Sequence, residues 1–182
     1  GAKTPLFFFF YKKDWYEYNI SVADGATSVD LEQSSSGQEV RLESRKGILY
    51  GVARFGVVLG TMPTAGAHES FGFGHTGQAD YVIFLMSGDK FYAGCRKGGA
   101  TTLVDITSSL PSDADSAEHQ YYIKWYKDKV EFWIDNNKVA EITSNIPDIP
   151  LMPYFGNYDN TGTATSMKVQ FISCLLYTSP SP

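Results

Sequence analysis

Cysteine is scarce in this 182-residue chain: two are present, Cys95 and Cys174, too few for the disulfide framework of a small secreted scaffold. Histidine is nearly as rare. His68, His75 and His119 show no H-E-x-x-H spacing and have no cysteine cluster nearby, so no transition-metal set can be assembled from them. Basic residues are outnumbered 15 to 20, for a net charge of −5, which removes the positive footprint that nucleic-acid binding requires. Long apolar runs are also missing. The longest, Leu6 to Phe10, falls far short of the roughly 20 residues of a membrane-spanning helix. No window of about 15 residues keeps apolar spacing at i, i+3 and i+4, so any helix is short. No G-x-S-x-G elbow is present to anchor a serine nucleophile. Residue 1 is Gly rather than Met, and the chain reads as a fragment or a processed product.

What the sequence does have is aromatic side chains. Twelve Phe, 12 Tyr and 3 Trp make up 15% of it, within 43% hydrophobic and 19% charged residues. That composition favours packed strands over disorder. Alternating segments follow one another with turn signals at short intervals, the pattern of an all-β sandwich. Two hairpins resolve by parity. A turn at Gly88 and Asp89 puts Val82, Phe84 and Met86 on one face with Phe91, Ala93 and Cys95. The opposite face carries Tyr81, Ile83 and Leu85 with Lys90, Tyr92, Gly94 and Arg96, a mixed surface suited to water or a ligand. A turn at Asp128 and Lys129 puts Tyr121, Ile123 and Trp125 with Val130, Phe132 and Ile134, leaving Tyr122, Lys124, Tyr126, Glu131 and Trp133 outside. Ser112 to Glu118 reads as a helical turn or an acidic loop.

Other motifs have bland explanations. Gly72 to Gly77 spells G-x-G-x-x-G, but a strand follows it where a dinucleotide site needs a helix N-terminus, so it reads as a glycine-rich β-loop. His68, His75 and His119 read as solvent-exposed or hydrogen-bonded loop histidines. Glu39 with Glu43, and Glu131 with Asp135, share strand faces at i, i+4, where they read as solvent-facing charge.

The second hairpin carries a family resemblance. His119, Tyr121, Ile123 and Trp125, then Val130, Phe132, Ile134, Asp135 and Val139, resemble a conserved-order stretch of concanavalin A-like lectin/glucanase domains, and the pattern is nearest to laminarinase-like glycoside hydrolases of family sixteen. Gly47 to Phe55 is similar to their G-x-[YF]-x-A-R strand. Residues 152–158 and 166–171 fit their last strands. The resemblance spans roughly residues 37 to 173 and implies a two-sheet antiparallel jelly-roll sandwich. One departure bears on activity. Those hydrolases carry E-x-D-x-x-E on the strand after the A-R strand and its loop, whereas Gln78 to Asp89 supplies only Asp80 and Asp89. Retaining glycosidases need a carboxylate nucleophile and a second carboxyl group as acid.

The resemblance and the residues together imply a non-catalytic carbohydrate-binding or adhesion module of an extracellular, cell-surface or virion protein, with a polysaccharide or glycan as partner. Two alternatives stand beside it: a structural or assembly domain without a small ligand, and a glycoside hydrolase or polysaccharide lyase with relocated acids. The expected ligand-binding residues are Tyr50, Arg54, Tyr81, Tyr92 and Arg96 on one concave sheet, His75 at its rim, and Trp133 in second place, where Lys124 forms a cation–π pair with it. No cofactor is expected. A structural calcium ion, often bound in this superfamily, finds no EF-hand-like spacing here and is left open. The domain is expected to comprise residues 1–173. Residues 174–182 resemble translated sequencing-adapter DNA and are expected to form a non-native tail without strand structure.

Overall fold

The computed structural model describes residues 3–8, 15–20, 26, 28–32, 38–60, 67–74, 80–159 and 166–177. Fourteen strands occupy them: β1 (Lys3–Phe8), β2 (Trp15–Tyr18), β3 (Val29–Glu32), β4 (Gln38–Ser44), β5 (Gly51–Val58), β6 (Ala67–Gly74), β7 (Tyr81–Ser87), β8 (Lys90–Lys97), β9 (Ala100–Asp105), β10 (His119–Trp125), β11 (Val130–Ile134), β12 (Asn137–Ile142), β13 (Met152–Asp159) and β14 (Ser166–Tyr177). They form two sheets with antiparallel pairing throughout. The first has the order β1-β14-β5-β10-β11-β12, with β3 also on β14; the second runs β2-β4-β13-β6-β7-β8-β9. This is the expected jelly-roll sandwich.

Where side-chain burial is described, inward residues mostly alternate with outward ones along the strands, and the inward set is large and aromatic. Phe55 meets Phe71, Phe73 and Phe155 edge-on at 5.7–6.1 Å between ring centres, joining the two sheets. Tyr121 of the first sheet packs against Phe71 and Phe84 of the second at 5.0 and 5.4 Å. Burying such rings supplies the main stabilising term, roughly 25 cal/mol per Å2 of apolar surface.

Both hairpins take the register that parity predicts. Val82 faces Cys95, Phe84 faces Ala93, and Ile123 faces Phe132. Other expectations fail. Residues 67–74 form β6, in the middle of the second sheet, so Gly72 and Gly74 lie in a strand rather than a loop. His68 lies on the same strand. The 112–118 segment does form turns, in keeping with the expected helical turn or acidic loop, and the described residues show a single short 3-10 turn, Thr107–Ser109, just before it.

The end of β14 also differs from expectation. The strand runs to Tyr177, with Cys174 opposite Leu6 of β1 and Ala53 of β5, so the backbone of this stretch is paired on both sides. Cys174 is buried in the core. Deleting residues 174–182 is therefore expected to lower stability by about 2 kcal/mol, the low end for emptying a buried apolar site, rather than leave it unchanged. Thermal melting of the truncated protein checks this; an unshifted midpoint would show that the pairing contributes nothing.

Candidate functional site

The outward side of the second sheet carries a mixture of polar and aromatic groups whose positions the strands fix. One row across six strands reads Glu43, Tyr154, Gly72, Ile83, Gly94 and Leu103. The next reads Arg41, Gly156, Ser70, Leu85, Tyr92 and Asp105. A third brings Glu39, Tyr158, His68, Ser87 and Lys90 together, and Tyr81 faces Arg96, which faces Thr101. Glycines keep the floor low so that rings lie across it. A Cβ at Gly156 would strike the Tyr154 hydroxyl, and one at Gly94 would meet Leu103 at 2.7 Å and the Tyr81 ring at 3.5 Å.

The β4 side of this face is polar. Arg41 pairs with Glu39 at 3.2 Å, and the Tyr154 hydroxyl donates to Glu39 at 3.5 Å. Burial pushes the Tyr154 hydroxyl up to about 12, so it stays protonated and able to donate. His68 stacks with Tyr158 at 6.3 Å and 11°. Arg45 lies 4.1 Å over the Tyr16 ring. At the far edge, Asp105 accepts from Thr107 and Lys90, which hold it near 2, and the Lys90 ion pair spans 2.9 Å. The middle is different: the outward positions of β7 are Tyr81, Ile83, Leu85 and Ser87, with no carboxylate among them.

The expected site residues divide between the two sheets. Tyr81, Tyr92 and Arg96 share the face just described, each half-buried. Arg54 does not. It projects from β5 on the outer side of the first sheet, where its Nε donates to Gln120 at 2.5 Å and its guanidinium lies 5.8 Å from the Tyr122 ring. Tyr50 packs edge-on against buried Trp125 at 5.5 Å and belongs to the margin of the core. The single concave group of five is thus corrected: β5 pairs with β10 and β14, in the sheet opposite β7 and β8. Trp133 also sits outside the first sheet, with the Lys124 ammonium 3.8 Å over its ring, the expected cation–π pair. His75 lies outside the described residues.

Other groups escaped the sequence reading. His119 is no free loop residue: it starts β10, with Nδ1 2.5 Å from Asp135 and Nε2 3.1 Å from Asp113, and these bonds tie the turns to the strand. Glu43 is 3% exposed, not solvent-facing, because alternation aims it at the Tyr154 row. Glu69 is buried inside the sandwich. Its Oε2 accepts from the Gly60 N–H at 2.9 Å, its Oε1 has no partner among the described residues, and burial raises its carboxyl to about 7. Its inward parity with Phe71 and Phe73 was the signal that could have found it. A cavity of about 260 Å3 lies nearby, lined by Leu59, Gly60, Met86, Thr107, Leu110 and Ala114 among others. Among the described residues no three His, Cys, Asp or Glu side chains converge to hold a metal ion.

Two antiparallel layers of this topology form a jelly-roll sandwich of the concanavalin A-like fold. Within that class, the profile of the glycosyl hydrolases family 16 matches residues 87–171. Three solved structures share the fold. One described as a native glycosidic hydrolase is 19% identical, with TM-score 0.76, and the match covers 100% of this chain and 99% of the other. A β-1,3-1,4-glucanase (lichenase) derived from a mouse hindgut metagenome is 17% identical, with TM-score 0.72 and coverage of 96% and 99%. The β-glucanase of Bacillus licheniformis is 15% identical, with TM-score 0.73 and coverage of 98% and 99%. Comparison with curated proteins returns no match.

Proposed function

We propose that the outward face of the second sheet binds polysaccharide without cleaving it. The observation that carries the reading is the outward row of β7, Tyr81, Ile83, Leu85 and Ser87, which offers rings and aliphatic groups where the resemblance puts catalytic acids. Tyrosine rings stack on the apolar faces of sugars, and the Glu39, Arg41, Tyr154 and His68 cluster supplies donors and acceptors for hydroxyl groups.

The acids that reach this face also favour binding over cleavage. Among the described residues, alternation sends the carboxylates of Glu39, Glu43 and Asp105 to this face. Glu39 is held in an ion pair by Arg41, and Glu43 is 3% exposed, so neither stands open to a substrate as a nucleophile or acid. Asp105 lies five strand spacings away, about 24 Å.

Replacing Tyr92 with alanine is expected to weaken binding by about 1–2 kcal/mol, the loss of one stacking platform. Its side chain points away from the core, so stability should change by less than about 0.5 kcal/mol. Affinity electrophoresis on β-glucans and galactans reads the first quantity and thermal melting the second. Undiminished binding would remove Tyr92 from the site.

A further inference from the structure

Among the described residues several cations pair with carboxylates, and Arg45, Arg54 and Lys124 engage rings or neutral oxygens instead. Lys90 meets Asp105 at 2.9 Å, Lys97 meets Asp148 at 2.9 Å, and Arg41 meets Glu39 at 3.2 Å. On the other sheet Lys129 pairs with Glu131 at 2.6 Å and Lys138 with Glu141 at 3.0 Å. Arg96 has no hydrogen bond or ion pair among the described residues, and its Nε is buried without an acceptor. Its cross-strand neighbours are Tyr81 and Thr101, and Gly94 leaves the floor beside it open to the Tyr81 ring. Asp80, the nearest acid along β7, is already occupied by the Gly98 N–H at 2.7 Å. Residues 75–79, which lead into β7, contain no Asp or Glu.

A half-buried guanidinium without an acceptor forfeits solvation and gains nothing in return. In a chain of net charge −5, a carboxylate partner would be easy to supply. The planar fork of arginine suits an oxyanion with two accepting oxygens, and it does so beside rings on which a sugar can stack. On β7 and β8 the positions next to Arg96 on this face, Tyr81, Ile83, Gly94 and Tyr92, carry no charge.

We propose that Arg96 makes this face selective for polysaccharides that carry an anionic substituent, a carboxylate or a sulfate ester, with Tyr81 and Tyr92 holding the sugar ring. The inference rests on the reading of this face as a glycan site. It adds a charge requirement that the fold by itself does not impose.

The test uses matched polymers: a neutral β-glucan and a neutral galactan, each also in C6-carboxylated and in sulfated form. The full chain should bind at least one anionic form about tenfold more tightly than its neutral parent, a difference that shrinks as salt rises. Comparison of the carboxylated and sulfated arms identifies the substituent. Arg96→Gln should abolish the preference, so that anionic and neutral forms bind alike, with the melting midpoint unchanged. Arg96→Lys, which keeps the charge but loses the fork, should retain part of the preference and guards against a fault peculiar to the glutamine variant. Equal binding of neutral and anionic forms, or a preference that survives Arg96→Gln, would overturn the charge requirement while leaving the glycan site standing. Failure of every polymer, neutral and anionic, to bind would overturn both.

Discussion

Replacing Phe132 with alanine is expected to destabilise the protein by about 3–5 kcal/mol, the usual range for emptying a buried phenylalanine site. The ring is fully buried on β11, between Val130 and Ile134, and meets Phe84 of the opposite sheet at 5.1 Å and 87°. It is therefore a direct tie between the layers, and the space it leaves is walled by strands paired on both sides. For a chain of this length each kcal/mol lowers the melting midpoint by about 2–4 °C, so a drop of roughly 10 °C is expected. A loss below about 1 kcal/mol would mean that the ring faces solvent.

The second large effect is a dependence of stability on pH through Glu69. Its carboxyl is raised from the ordinary 4.5 to about 7, chiefly by burial, with the Gly60 N–H opposing that rise. A folded value above the unfolded one means that the native state holds the proton more tightly. The stabilisation is therefore complete below about pH 4.5, declines as pH rises, and is lost above about pH 7. The total corresponds to about 3 kcal/mol. Denaturant melts between pH 4 and 8 should show this decline. Glu69→Gln keeps an acceptor for Gly60 and has no proton to lose, so its profile should lack that component. An equal decline in the variant would place the pH dependence elsewhere.

The two hairpins were legible because their alternation is strict over both arms and a short turn fixes the register. Val82, Phe84 and Met86 have no polar residue among them, and neither do Phe91, Ala93 and Cys95. β6 was hidden because Ala67 to Gly74 mixes two glycines with His68, Glu69 and Ser70, and its place between β13 and β7 comes from pairing distant in sequence. The site was half legible for the same reason. Parity correctly put Tyr81, Tyr92 and Arg96 on one face, but it cannot say which sheet a strand joins. Arg54 therefore looked like their neighbour, although β5 joins β10 and β14 in the other layer. The polar cluster of Glu39, Arg41, Tyr154 and His68 draws on three strands, β4, β13 and β6, whose adjacency no local pattern records.

Binding and cleavage measured on one sample of pure protein test the central claim most directly. The protein is incubated with β-glucans, galactans and their anionic derivatives, retention is followed by affinity electrophoresis, and released reducing ends and oligosaccharides are followed in the same mixtures. Retention of at least one polymer with no release of oligosaccharide is the predicted result. Release of oligosaccharide by the pure protein would contradict it, since Tyr81, Ile83, Leu85 and Ser87 offer neither nucleophile nor acid of the kind glycosidases require.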